Sequence, residues 1–209
     1  MKHEDKSQLR PPRTIRSQRL KRNIYDTAIK LLRDYGYEYV TVNNICQMAG
    51  ISVGSFYHYF ASKDELLAGF FSEAFEQYKL NNPDSSGDMI EDIIQYLCSY
   101  CDFCESQGLN FIRSFYTPYN SSTNTLQNRK HDGSFASPAM SDMVSKLEQC
   151  RKDGILTEDS DPLTIANDMS IITKGSIYHW CISGGDFRIR DVNERLLRRY
   201  IKSYVKMVK

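Results

Sequence analysis

The sequence contains no run of about 18 apolar residues, and its polar N-terminus lacks an apolar segment. The first absence argues against a transmembrane helix and the second against a secretory signal peptide. We therefore expect a cytoplasmic protein with no membrane partner. In that compartment the six cysteines are expected to be buried thiols rather than disulfides.

The sequence also lacks the short motifs of common enzymes. It has no GxSxG nucleophile, no Walker loop, no HExxH zinc helix and no Rossmann glycines after a strand. We therefore expect no catalytic activity, no cofactor and no metal ion.

Three cysteines, Cys98, Cys101 and Cys104, stand at steps of three in a segment with helical periodicity. A buried stripe of thiols explains this spacing more simply than a zinc or iron–sulfur site, which needs further converging ligands. A sensor thiol requires positive surroundings, and Asp102 and Glu105 supply the opposite.

Charge is nearly balanced over the chain, with a formal net charge of +1, but it is unevenly distributed. Residues 1–22 contain eight Lys or Arg against two acidic residues. We predict a disordered basic arm over residues 1–16. Its arginines Arg10, Arg13 and Arg16 are candidates to enter a DNA minor groove, as the arms of other DNA-binding folds do, and a merely solubilising tail is the alternative.

The periodicity is helical nearly throughout, with no convincing strand pattern and no internal repeat. This predicts an all-α protein of about nine helices, with loops over 81–87 and 118–138. The predicted helices cover residues 17–35, 42–49, 53–59, 63–80, 88–106, 109–115, 138–152, 162–183 and 191–208.

The second and third predicted helices are joined by only three residues, Gly50-Ile51-Ser52, which is the spacing of a helix-turn-helix. The third helix carries the unusual run FYHYF. Phe56 and Phe60, four apart, are expected to pack inward, whereas residues 57–59 cover the outward arc. Small residues before that run would let the backbone approach a DNA groove.

At these positions the sequence resembles the TetR family of bacterial transcriptional repressors. The resemblance covers residues 17–67 and rests on Ile24, Ala28, Gly36, Thr41, Val42, Ile45, Ala49, Gly50, Ile51, Ser52, Gly54, Phe56, Tyr57, Tyr59, Phe60, Lys63, Leu66 and Leu67. It implies a helix-turn-helix DNA-binding domain over residues 17–62 and a ligand-binding and dimerisation domain over residues 63–209.

The resemblance also implies roles for single residues. Tyr57 and Lys63 would bind phosphates. Tyr59 would contact the DNA backbone, and Ser55 would contact either a base or the DNA backbone. The full set of candidate DNA-binding residues is Thr41, Ser52, Val53, Gly54, Ser55, Tyr57, His58, Tyr59 and Lys63. Val53 departs from the polar or basic residue that many members have, so a phosphate contact is lost there or replaced by contact with a thymine methyl. His58 is either a phosphate donor or a solvated side chain.

Members of that family dimerise through their C-terminal helices, and the last two predicted helices are rich in apolar residues. Candidate interface residues are Ala166, Met169, Ile172, Leu196, Tyr200 and Tyr204, with ordinary core packing as the alternative. A symmetric dimer would read a palindromic double-stranded operator.

Aromatic residues of the middle segment, together with two from the eighth predicted helix, could line an apolar cavity for an effector. The candidates are Tyr96, Tyr100, Phe103, Phe111, Phe115, Tyr178 and Trp180. Here too a plain core is the alternative.

The sequence therefore predicts a sequence-specific DNA-binding regulator, a homodimeric repressor released from its operator by a small apolar or aromatic ligand. Other interpretations stay open: a transcriptional activator, a small-molecule- or redox-responsive sensor acting without DNA release, and a helical module that binds another protein.

Overall fold

The computed structural model describes residues 13–81, 86–117, 119–120 and 137–206. Over these ranges the chain forms nine α-helices and one short 3-10 helix, Tyr37–Tyr39, and the all-α prediction is confirmed. The α-helices are α1 (Arg13–Tyr35), α2 (Val42–Ala49), α3 (Val53–Tyr59), α4 (Lys63–Asn81), α5 (Met89–Gln107), α6 (Leu109–Phe115), α7 (Pro138–Lys152), α8 (Pro162–Ile182) and α9 (Ile189–Lys202). None of them is both long enough and apolar enough to cross a bilayer.

Local capping explains why most predicted boundaries agree with the structure. The Thr41 and Ser52 hydroxyls accept the backbone N–H groups three residues ahead, at 3.1 Å each. Asp161 caps α8 in the same way, and Pro162 occupies the first helical position, where its missing N–H has no cost. These signals lie within four residues of one another, so the sequence alone reveals them.

The start of α1 differs from the prediction. The helix begins at Arg13, so residues 13–16 of the predicted arm are helical rather than disordered. Residues 1–12, including Arg10, and most of the predicted loop 118–138 lie outside the described residues.

The end of α9 also differs, because the helix stops at Lys202 instead of continuing to residue 208. The next residues pair with the segment that follows α7. The N–H of Thr157 donates to the Tyr204 carbonyl and the N–H of Lys206 to the Ile155 carbonyl, both at 2.9 Å. Because of this pairing, the backbone groups that follow Lys202 find hydrogen-bond partners outside a helix. Local helix propensity could not predict these partners.

The chain divides into two compact units, which meet in sequence between Leu67 and Ala68, inside α4. The N-terminal unit has a core that includes Ile24, Leu32, Ile45 and Phe56, all with no exposed surface.

The core of the C-terminal unit is built mainly from α5, α7, α8 and α9. Ion pairs join α5 to α9 along the edge of this core. Arg190 is paired with Asp102 at 2.5 Å, and Arg198 with Glu91 at 2.7 Å.

Asn193 of α9 is a polar residue with no exposed surface. Neither atom of its amide has a hydrogen-bond partner in the part of the chain that the structure describes. An unsatisfied buried amide costs about 1–3 kcal/mol, so Asn193→Leu should raise the free energy of unfolding by about 1–2 kcal/mol. Chemical denaturation measures this, with Asn193→Asp as the matched variant that should lower stability. Destabilisation by leucine would mean that the amide is satisfied in solution.

Candidate functional site

The turn between α2 and α3 depends on a glycine. Gly50 has φ +67° and ψ 37°, in the left-handed region that side chains rarely adopt. The N–H of Ile51 returns to the Cys46 carbonyl at 3.0 Å and closes the end of α2. Ser52 then starts α3, and its hydroxyl lies 2.9 Å from that of Ser55. The predicted helix-turn-helix connection is confirmed.

The helix α3 has one packed face and one open face. Phe56 has no exposed surface and Phe60 has 3%. Phe60 also packs edge-on against Tyr25 of α1, with ring centroids 5.1 Å apart. Tyr57 is 56% exposed. The open face further includes Ser52, Val53, Gly54 and His58. The expectation that Phe56 and Phe60 face the core is confirmed.

Tyr59 does not lie fully on the outward arc that was expected for residues 57–59, because its side chain is half-buried. Its hydroxyl accepts a hydrogen bond from the Ser17 hydroxyl at 3.1 Å. The contact fixes the ring against α1, and the hydroxyl keeps its own hydrogen for a donor role. Residue spacing within α3 could not reveal this partner from another helix.

Lys63 opens α4, and its ammonium lies 4.0 Å from the centre of the Tyr37 ring. Tyr37 in turn donates from its hydroxyl to Asp64 at 2.7 Å. Burial and that carboxylate raise the pKa of Tyr37, so the ring stays neutral and keeps its attraction for the cation. Nothing in the local sequence pattern indicates that Tyr37 positions Lys63, because the two residues are brought together only by the fold.

The first half of α1 is rich in positive charge, and its first turn contains no acidic residue. Residues 13–22 contain Arg13, Arg16, Arg19, Lys21 and Arg22. Of these, Arg22 is paired with Asp26 at 3.0 Å. Arg16 and Arg19 are exposed. The N-terminal unit therefore carries exposed cationic side chains at the start of α1, in addition to Lys63 of α4, and such charges favour a polyanionic partner.

In the C-terminal unit, nine aromatic rings from α4, α5 and α6 and the residue after α6 form what we call the ring cluster. Its members are Phe71, Phe75, Tyr78, Tyr96, Tyr100, Phe103, Phe111, Phe115 and Tyr116. The tightest pair is Phe71 and Phe115, whose centroids lie 4.1 Å apart with planes 14° from parallel.

The ring cluster brings together five of the seven predicted ligand residues: Tyr96, Tyr100, Phe103, Phe111 and Phe115. It also includes three rings of α4 that the prediction missed. Phe71, Phe75 and Tyr78 follow steps of four and three, the same spacing as the three rings of α5, so a signal for them was present.

The other two predicted ligand residues, Tyr178 and Trp180, lie outside the ring cluster. Tyr178 is 51% exposed on the outer side of α8. Trp180 is buried, but it lines a different feature, an open depression of about 510 Å³ with Phe187 and Arg188. The sequence could not orient these rings, because α8 is apolar on most of its sides.

The buried thiol stripe is confirmed, since Cys98, Cys101 and Cys104 have no exposed surface. Burial raises the pKa of the Cys98 thiol to about 12. It raises the pKa of Cys101 and Cys104 well above the ordinary value. Such thiols stay protonated at neutral pH, which argues against the redox-responsive alternative.

Two predicted interface residues, Ala166 and Met169, have no exposed surface and pack in the core of their own unit, as the alternative of ordinary core packing predicted. Ile172, Tyr200 and Tyr204 are half-buried against the same core, and the Tyr200 hydroxyl donates to Asp168 at 2.7 Å.

The exposed large apolar side chains of α8 are Leu163, Ile171, Tyr178 and Ile182, and the last three share one face of the helix with Gly175. On α9, Leu196 is also exposed.

Comparison with known proteins agrees with the geometry of the N-terminal unit. Residues 24–69 match the family model of bacterial regulatory proteins, tetR family. The HTH-type transcriptional repressor KstR2 of Rhodococcus jostii (strain RHA1) is 40% identical over 60 residues, which is 27% of this chain and 29% of that protein. The fatty acid metabolism regulator protein of Bacillus subtilis (strain 168) is 33% identical over 55 residues, 26% of this chain and 28% of that protein. The matched region thus spans less than a third of either relative.

The fold is similar to that of solved proteins over most of the chain. The FadR protein of Thermus thermophilus, a TetR-family transcriptional repressor solved with lauroyl-CoA, superposes with a TM-score of 0.61. It is 16% identical, and the match covers 90% of this chain and 97% of that one. Residues 24–69 are thus similar to the DNA-binding region of the tetR family of bacterial regulatory proteins, and the chain as a whole has the fold of a solved TetR-family repressor.

Proposed function

We propose that this protein is a cytoplasmic, sequence-specific DNA-binding transcriptional regulator, a homodimeric repressor released from its operator by a small ligand, with no catalytic activity. The observation that carries the proposal is the two-faced helix α3. Phe56 and Phe60 anchor it in the core, while Gly54, Tyr57 and His58 stay exposed immediately after a helix-turn-helix turn. A helix without a binding role would need aromatic rings only on the face that packs in the core, not on its exposed face.

The open face of α3 has dimensions that suit DNA. An α-helix with its side chains is about 10–12 Å in diameter, and the major groove is about 12 Å wide. Gly54 lets the backbone approach closely, Ser52 and Ser55 offer hydroxyls to base edges, and Val53 offers a methyl surface to thymine.

Phosphate contacts would come from the flanks of that face. Tyr57 and Tyr59 each have a hydroxyl that can donate, and Lys63 is held by the Tyr37 ring where α4 begins. Thr41 and His58 complete the proposed set. Phosphate contacts fix the register on the duplex and carry little sequence information.

Dimerisation would use the exposed apolar face of α8, Ile171, Gly175, Tyr178 and Ile182, together with Leu196 of α9. Gly175 has nothing within 4 Å of where a Cβ would lie, which leaves room for close helix approach. Ile172, Tyr200 and Tyr204 would lie at the rim. Two copies would then read half-sites about 34 Å apart in a palindromic operator.

The effector would bind at the ring cluster, as a small apolar or aromatic molecule. The helix α4 contains both Lys63 and the cluster rings Phe71 and Phe75. Ligand binding that displaces α4 would therefore change where Lys63 can reach. Coupling of about 1–3 kcal/mol is enough to change operator occupancy severalfold or more.

The direct test is fluorescence anisotropy of the purified protein on DNA from upstream of its own gene, across a range of salt concentrations. We expect tight, steeply salt-dependent binding that far exceeds binding to a scrambled duplex of the same composition. If the operator lies elsewhere in the genome, a selection of binding sites from random duplexes would identify its sequence. Equal binding to all duplexes in both experiments would contradict the proposal.

Lys63→Met should weaken binding to every duplex alike and make the slope of log K against log salt shallower by about 0.9, the effect of losing one phosphate contact. The matched control is Lys30→Met, which removes the same charge from an exposed position in the second half of α1. An unchanged slope in Lys63→Met would remove that residue from the DNA contact.

Ser55→Ala should behave differently from Lys63→Met, because a base contact discriminates between sequences. We expect a changed ranking of operator variants, with about 0.5–1.5 kcal/mol less discrimination at one base pair, the contribution of a single hydrogen bond. Anisotropy on a set of single-base operator variants measures this. A uniform loss on all variants would assign Ser55 to the DNA backbone.

A further inference from the structure

The C-terminal unit has an open depression of about 510 Å³ where the connection between α8 and α9 meets the end of α5. It is lined by Glu105, Trp180, Gly185, Asp186, Phe187 and Arg188. Its volume lies within the range of about 300–1,000 Å³ that is usual for small-molecule sites. None of the lining residues belongs to the ring cluster, so the depression is a separate candidate site.

Trp180 borders the depression with the edge of its indole that carries the N–H group. A side-chain carbon at Gly185 would lie 3.5 Å from the indole Cε2 and Cζ2 atoms, and Cε2 is bonded to Nε1. Glycine therefore leaves this edge uncovered. Among the described residues the N–H has no hydrogen-bond partner, although a buried indole usually has one. The depression thus offers an unused donor.

Glu105 supplies a fixed negative charge. Its carboxylate accepts the N–H of Ile189 at the start of α9, which anchors the side chain. The side chain is half-buried, and in the part of the chain that the structure describes no cationic group is paired with it. Asp186 adds a second, exposed carboxylate. A carboxylate held in this way favours a ligand that brings an ammonium group.

Arg188 supplies a positive charge to the same depression. Its Nη2 atom lies 3.5 Å from an oxygen of Asp102, which is long for a hydrogen bond between charged groups. That carboxylate is already held by Arg190 at 2.5 Å. Most of the five N–H donors of Arg188 therefore stay available, and their forked geometry matches a carboxylate.

We propose that the depression binds a free α-amino acid with an aromatic or large apolar side chain. The ammonium group of the ligand pairs with Glu105, and its carboxylate with Arg188 and the Trp180 N–H. The ligand side chain lies against Phe187, whose half-buried ring packs on that of His179 with centroids 5.5 Å apart. A ligand with a single charge would leave one of the two charged groups without a partner. This site is additional to the proposed effector site at the ring cluster and requires no DNA.

The fluorescence of Trp180 tests the proposal directly, because it is the only tryptophan of the chain. The full chain is titrated with three probes that share one phenyl ring: L-phenylalanine, phenethylamine, which has only the ammonium, and 3-phenylpropanoate, which has only the carboxylate. We expect L-phenylalanine to change the emission saturably. It should bind about tenfold more tightly than either of the other two, the factor that one charge-assisted hydrogen bond contributes.

Variants assign each charge of the ligand to its partner. Glu105→Gln keeps an oxygen that can accept the Ile189 N–H, and it should weaken L-phenylalanine and phenethylamine about tenfold without weakening 3-phenylpropanoate. Arg188→Gln should show the reverse pattern, with L-phenylalanine and 3-phenylpropanoate weakened and phenethylamine unaffected. The matched control is Arg199→Gln, which removes an exposed guanidinium elsewhere on α9 and should leave all three affinities unchanged.

Three results would overturn the proposal. The first is equal affinity of L-phenylalanine and either singly charged probe. The second is undiminished L-phenylalanine affinity in both Glu105→Gln and Arg188→Gln. The third is the absence of any change in emission and of any heat in calorimetry up to about 10 mM L-phenylalanine. Operator binding is not involved in any of these measurements, so the ligand site and the regulator function stand or fall separately.

Discussion

Replacing Ile171 and Ile182 together by glutamate should convert the protein to a monomer and reduce operator affinity by at least about 100-fold. Both side chains are exposed, at 52% and 62%, so the isolated chain loses little packing when they change. In the proposed dimer each carboxylate would be buried against apolar surface without a partner, at high cost. The loss in affinity follows because linking two half-site contacts typically gains a factor of about 10²–10⁴.

Sedimentation equilibrium would measure the oligomeric state, and anisotropy on the operator would measure DNA affinity. The matched control is Leu80→Glu on α4, which places the same charge at another highly exposed apolar position. That variant should remain dimeric and bind normally. A double glutamate variant that stays dimeric with intact affinity would move the interface away from this face of α8.

Phe56→Ala should destabilise the N-terminal unit by about 3–5 kcal/mol, the usual cost of deleting a buried phenylalanine ring. The side chain has no exposed surface, and its neighbour on the packed face, Phe60, lies 5.7 Å away between ring centroids. Hydrogen exchange resolved by segment would show early opening of α1 to α3 with unchanged protection of α5, α8 and α9.

The adjacent substitution Tyr57→Ala makes the sharpest comparison, since it removes a similar ring from the open face of the same helix. Its effect on stability should stay within about 0.5 kcal/mol, while DNA affinity falls at every sequence. If Tyr57→Ala destabilised the fold as much as Phe56→Ala, α3 would not have the open face on which the proposed function rests.

The helix-turn-helix was predictable because its signals are local. Gly50 supplies the left-handed turn, Ser52 caps the next helix, and Phe56 and Phe60 stand one helical turn apart. Each feature depends on residues within about one turn of each other, where backbone geometry leaves few alternatives.

Which face of α8 packs against the core could not be predicted from such local signals. Apolar residues lie on most sides of this helix, so periodicity does not distinguish the face that meets the core from the face that meets solvent. Ala166 and Met169 proved to be core, whereas Tyr178 proved to be exposed. Packing against α7 and α9 decides that orientation, and it depends on residues far away in sequence.

By itself the sequence determined the all-α class, nearly all helix boundaries, the helix-turn-helix connection and the buried thiol stripe. Tertiary structure alone decided that α9 stops at Lys202, that Tyr37 holds Lys63, and that Tyr100 and Tyr116 join their hydroxyls. The physical reason is the distance in sequence over which each kind of interaction acts. Caps and helical periodicity act over a few residues, whereas these three contacts join segments that only the folded chain brings together.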